Sequence, residues 1–138
     1  MIILQGKNNF ISKGCSIRVV IRPVYCPKIC QRVFFLYCSS TTEDLRDSWE
    51  IKTDTIFRSH IVRFTMNKAL VDKTLDGRKV NMIVSRQSEN RWIEKQKNLD
   101  TGKETMIVRD FFTDRMMVNL TAGAVRSFST FVRQFTKD

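Results

Sequence analysis

One histidine and two prolines occur in the 138 residues, and no acidic residue precedes Glu43. Each scarcity closes off a class of reading. With His60 alone, and no cysteine beside a histidine or acid, neither a Cys-His nucleophile pair nor a histidine-based metal centre follows from the pattern; no catalysis, metal or cofactor is expected. No apolar run approaches the roughly 18 residues that a membrane-spanning helix needs. Met1-Ile2-Ile3-Leu4 is too short for a signal-peptide core before Gln5, Lys7 and Asn8 interrupt it. A cytoplasmic protein is the resulting expectation. The missing acids leave residues 1–42 with six unopposed Lys or Arg, while the remainder carries 18 basic against 14 acidic residues, so the net charge of +10 is mainly N-terminal. Such a segment has the composition of an organelle transit peptide, although Pro23 and Pro27 and the absence of helical amphipathicity weigh against that role.

The four cysteines, Cys15, Cys26, Cys30 and Cys38, all fall in this N-terminal part. Without a secretion signal they read as free buried thiols, ahead of disulfides; a four-thiolate zinc site lacks the paired short knuckles it would need.

What the chain does contain is alternation. Ser16–Arg22 and the aromatic run Val33–Cys38 read as two N-terminal strands. Then follow Trp49–Thr53, Phe57–Thr65, a shorter or irregular piece over Asn67–Lys73, Arg78–Arg86, Arg91–Lys97, Lys103–Phe111, Arg115–Thr121 and Val125–Arg133. Turn formers separate them at Asp76-Gly77, Glu89-Asn90, Thr101-Gly102, Thr113-Asp114 and Ala122-Gly123, at hairpin spacing. The length suits one domain, 1–138. Nine or ten antiparallel strands in one domain either split into layers or close, and closure removes exposed edges. The expected fold is all-β, an up-and-down antiparallel barrel of about ten strands.

The period of two also assigns faces. Thr105, Ile107 and Arg109 share one; so do Met116, Val118 and Leu120, and Val125, Ser127, Ser129 and Phe131. If the apolar members point inward, Arg109 does too. An inward guanidinium needs a protein carboxylate, a set of acceptors or an anionic ligand; otherwise this face is the outer one.

Five ordered stretches carry a resemblance: Thr55-Ile56-Phe57-Arg58-Ser59, Leu75-Asp76-Gly77-Arg78-Lys79-Val80, Glu94-Lys95-Gln96-Lys97, Gly102 through Asp110, and Leu120-Thr121-Ala122-Gly123. Over about residues 47–135 the chain resembles the intracellular lipid-binding proteins, and is most similar to flatworm-like fatty acid-binding proteins. The resemblance implies a lipocalin-like, calycin barrel of ten strands under two short helices, enclosing a water-filled cavity for one long-chain fatty acid. It implies a monomeric carrier without catalysis that meets anionic membranes in passing. Residues 1–45 diverge: nothing there matches the family's opening strand and the helix-turn-helix lid that follows it, so a helical lid is doubtful or absent.

Site residues follow by position. Arg109 matches one arginine of the family's carboxylate clamp, whereas Ser129 and Phe131 stand where the family has a second arginine and a tyrosine. Gln96 and Arg78 match polar cavity positions, and Phe57 matches a phenylalanine at the portal, with ordinary strand or core roles as the plainer readings. The competing function is a basic interaction module that contacts anionic membrane or nucleic acid without a competent lipid cavity. Phe10 and the Phe34-Phe35-Tyr37 cluster read as core, because no base-stacking motif accompanies them; specific nucleic-acid binding is not expected.

Overall fold

A computed structural model of the chain describes residues 7–12, 17–24 and 48–134. Its ten strands are β1 (Asn8–Ser12), β2 (Arg18–Pro23), β3 (Ser48–Asp54), β4 (Ser59–Thr65), β5 (Leu70–Lys73), β6 (Lys79–Ser88), β7 (Arg91–Asn98), β8 (Glu104–Phe111), β9 (Arg115–Ala122) and β10 (Val125–Gln134). Every pairing is antiparallel, in the order β4-β3-β2-β1-β10-β9-β8-β7-β6-β5. The sheet therefore curls into a nearly closed barrel, with β1 joined to β10 and a seam left between the two end strands, β4 and β5. No helix occurs among the described residues.

Seven of the expected strands, from β3 to β9, appear close to the bounds their alternation sets, and β10 does so as well. Two details differ for local reasons. Phe57 is not in β4: Thr55 closes a turn by bonding its N–H to the Arg58 carbonyl at 2.8 Å, while its Oγ1 accepts from the N–H groups of Phe57 and Arg58. Asn67 adopts a left-handed backbone (φ 62°), so the expected piece over Asn67–Lys73 is a strand only from Leu70. The N-terminal reading is half met. Arg18–Pro23 is a strand as expected, but its partner in the ring is the unexpected Asn8–Ser12; Val33–Cys38 and all four cysteines lie outside the described residues.

One end of the barrel is filled by aromatic side chains. Trp92, 1% exposed, meets Trp49 at 4.8 Å, Phe111 at 5.0 Å and Phe64 at 6.1 Å between ring centroids, all edge to face, and Phe10 extends the cluster from β1. Edge-to-face contact suits the ring quadrupoles and adds to the apolar area removed from water. At the opposite end the hairpin turns leave apolar groups in solvent: Ile56, Phe57, Leu99 and Val125 are each half or more exposed. Only five residues separate Ser12 from Arg18, too few for a helix-turn-helix after the first strand. The connection between β2 and β3 leaves from the aromatic end, where the Val24 N–H bonds to the Ser48 carbonyl at 2.8 Å.

The outer face beside that end carries a charge network. Glu50 is 5% exposed and takes Arg22 on β2 and Arg63 on β4, at 2.8 Å and 2.7 Å. Burial pushes the Glu50 carboxyl upward, but the hydrogen bond from Arg63 and the charges of Arg22 and Arg63 together hold it below the ordinary carboxylate range. A folded value below the unfolded one, roughly 4.3, means the stabilisation is present above that pH and is lost as pH falls through the folded value. Unfolding free energy measured by denaturant between neutral pH and about pH 3 should therefore fall more steeply for the parent than for Glu50→Gln. Parallel curves would show that the network adds no pH-dependent stability.

Candidate functional site

A polar centre lies on the inner face of the barrel wall, on β7 and β8. On β7 the strand period puts Trp92, Glu94 and Gln96 on the inner face, and pairing sets Trp92 opposite Arg109, Glu94 opposite Ile107 and Gln96 opposite Thr105 on β8. Arg109 continues across β9 to Val118, which in turn faces Ser129 on β10. Arg109 is thus inward, as the alternation of β8 requires, with its side chain 13% exposed. Its Nη1 donates to Glu94 Oε1 at 3.2 Å, and Gln96 Nε2 donates to Glu94 Oε2 at 2.5 Å. Both oxygens of the Glu94 carboxylate, whose side chain is 4% exposed, are occupied in this way. Of the open alternatives for Arg109, the structure selects a protein carboxylate.

Glu94 is the residue that the sequence reading passed over. Its signal was present: Trp92 and Gln96 share its parity. A glutamate between Ile93 and Lys95 nonetheless reads as solvent-facing unless its partner across the strand pair is known.

A half-open cavity of about 120 Å³ lies against this centre, lined by Gln96, Glu94 and Arg109 on one side and by Thr53, His60 and Asp72 on the other. It borders the seam. There β4 and β5 share no ladder, and side chains bridge them instead: His60 Nε2 lies 3.3 Å from Asp72 Oδ2, and Arg58 Nη1 donates to the Leu75 carbonyl at 3.0 Å. A larger concavity of about 1150 Å³ at the turn end is bordered by residues of both parities, Met82, Gln96 and Thr105 of the inner face and Asn81, Ile83, Lys95 and Met106 of the outer, with Arg78 at its rim.

The other site residues are dispersed. Gln96 belongs to the polar centre. Ser129 is half-buried two strands from Arg109, and Phe131, 8% exposed opposite Met116, is packed into the core. Arg78 stands at the rim, largely exposed, with its Nε donating to Asp76 Oδ2 at 2.7 Å. Phe57 is 87% exposed at the tip of the β3–β4 turn. Arg133, two residues beyond Phe131, is a second inward arginine, its guanidinium 5.2 Å from the Phe10 ring centre. Among the described residues no group of three His, Cys, Asp or Glu is arranged to hold a metal ion, and no helix is long and apolar enough to cross a membrane.

No family model matches the chain. Curated relatives do: a fatty acid-binding protein of Tyrophagus putrescentiae is 28% identical over 88 residues, 64% of this chain and 65% of the relative. One from Schistosoma japonicum is 30% identical over 87 residues, 63% and 64% of the two chains. The barrel also superposes on the Schistosoma mansoni fatty acid-binding protein in complex with arachidonic acid, with a TM-score of 0.68 and 18% identity over 96% of this chain and 97% of that one. The chain is related to the fatty acid-binding proteins. The matched stretches cover just under two thirds of these curated relatives' length, whereas the structural likeness to a fatty acid-binding barrel runs over nearly the whole chain.

Proposed function

We propose that the protein is a non-enzymatic, cytoplasmic carrier that holds one long-chain fatty acid or similar acyl lipid inside the barrel, with its polar end at the Arg109, Glu94 and Gln96 centre. The observation that carries this reading is the buried Arg109, Glu94 and Gln96 cluster on the inner face of the barrel, close to a seam without ladder hydrogen bonds. By its sequence motif Arg109 matches the clamp arginine of the family the chain resembles, and the similarity to fatty acid-binding proteins favours the same reading.

The cavity at the polar centre, about 120 Å³, is below the roughly 300–1,000 Å³ usual for a small-molecule pocket. Loading therefore requires the barrel to widen. Widening costs least at the β4–β5 seam, where two side-chain links are broken instead of a run of backbone hydrogen bonds. Burial of an acyl chain returns about 0.8 kcal/mol per methylene, which outweighs the loss of a few exposed polar contacts.

A delipidated sample titrated with a polarity-sensitive fluorescent acyl probe should saturate at about one probe per chain and release it to unlabelled oleate, the stoichiometry of a single internal site. A folded protein that shows no saturable, competable uptake is not a carrier.

Transient contact with anionic membrane is part of the same proposal. Ile56 and Phe57, 72% and 87% exposed, project from one turn at the open end, next to Arg58. An apolar tip beside a cation suits a surface of acyl chains under anionic headgroups. Lipid transfer to vesicles should speed up with anionic lipid content, slow with added salt, and fall severalfold in Ile56→Ser with Phe57→Ser. Equal rates to neutral and anionic vesicles would remove the membrane role. Salt-sensitive nucleic-acid binding without lipid uptake would favour the basic-module reading instead.

A further inference from the structure

We infer that Glu94 sets the headgroup preference of the interior, favouring a long-chain lipid with an uncharged polar head, such as an alcohol or amide, over an ionised fatty acid. The inference rests on the carrier reading and names its ligand class.

A carboxylate is drawn into a protein interior by a cation that lacks a partner, and Arg109 has one. Its Nη1 meets Glu94 Oε1 at 3.2 Å, and Gln96 engages the other oxygen. Across the same inner face β9 presents Val118 and β10 presents Ser129, neither of which adds positive charge; Arg133, the other inward arginine of β10, lies four residues further on against Phe10 at the aromatic end and does not line this cavity. The remaining ionisable groups facing the cavity are His60 on β4, 3.3 Å from Asp72 on β5, and Lys73 beside that aspartate. β6 contributes only Val80 and Met82. The centre is therefore a matched ion pair and not a cationic socket.

An ionised fatty acid docking on Arg109 would place a second carboxylate beside Glu94. Like charges so placed disfavour binding unless one carboxyl takes a proton from solvent, after which the O–H donates to the other carboxylate. Binding of the acid is then coupled to uptake of one proton. An alcohol or amide needs no such step, because its O–H or N–H can donate to Glu94 while its oxygen accepts from Arg109.

The test compares oleate with oleyl alcohol as competitors for an uncharged fluorescent acyl probe on delipidated full-length protein near neutral pH. Oleyl alcohol should compete at least as well as oleate. Calorimetry in two buffers of different ionisation enthalpy should find about one proton taken up with oleate and none with the alcohol. Glu94→Gln, which keeps an acceptor for Arg109, should shift the preference toward oleate by about tenfold or more. A parent that prefers oleate without proton uptake overturns the inference, and so does an unchanged ratio in Glu94→Gln. If that variant does not fold, proton uptake by the parent decides. Failure of both ligands to compete overturns the carrier reading itself, and the inference falls with it.

Discussion

Arg109→Met is expected to lower the unfolding free energy by about 3 kcal/mol, because it leaves the Glu94 carboxylate buried without its cation. Losses of roughly 3–5 kcal/mol accompany the breaking of fully buried ion pairs; the lower end applies because the Arg109 side chain keeps 13% of its exposure. Glu94→Met alone should cost a similar amount for the mirror-image reason. The double variant should return to within about 1 kcal/mol of the parent, since two packed apolar side chains can replace a buried pair at little cost. Denaturant unfolding of the four proteins closes the cycle. If the two single losses simply add in the double variant, the groups do not interact in solution and the polar centre is not as described.

Trp92→Ala should be the most damaging single truncation at the aromatic end, by about 3–5 kcal/mol. The indole is 1% exposed and touches three other rings from β3, β4 and β8, so its loss leaves a void that β3, β7 and β8, each held by ladders on both sides, cannot close. Trp92→Phe keeps one ring in place and should cost about 1–3 kcal/mol. Thermal unfolding monitored by near-ultraviolet circular dichroism reads both effects, as the coupled Trp49 and Trp92 signal should collapse in the alanine variant. A melting temperature within a few degrees of the parent would mean that the cluster does not anchor the barrel.

The strands from β3 onward could be read from the chain because each combines period-two alternation with a turn that only certain residues make. Gly102 and Gly123 sit at φ values of 71° and 61°, where a side chain is strained, so Thr101-Gly102 and Ala122-Gly123 mark their hairpins without ambiguity. β1 lacked such marks. Asn8, Phe10 and Ser12 share its inner face, and one aromatic among polar residues is a weak periodic signal; what fixes the strand is pairing with β10 and β2, which no local pattern encodes. The inward side of Arg109 was legible for the opposite reason, since Ile107 and Phe111 flank it at the same parity. Its partner was not, because Glu94 reaches Arg109 diagonally, one inner-face step along from Trp92, and that depends on the register of β7 against β8. Phe57 shows the remaining limit: an apolar residue following Ile56 reads as strand until Thr55 is seen to fold the backbone away from the ladder.

The joint between β1 and β10 pairs Phe10 with Arg133, almost the full length of the chain apart. During synthesis the ring cannot be completed until the final strand has left the ribosome, and the earlier strands must wait as an incomplete sheet. Topologies dominated by such distant pairings fold slowly, on the order of milliseconds to seconds, with the end-to-end contact carrying the largest loop-closure cost. The order of assembly is thus set by chain geometry. The hairpins from β6 to β10 are local, whereas the joint between β1 and β10 is the pairing that waits for both ends of the strand set.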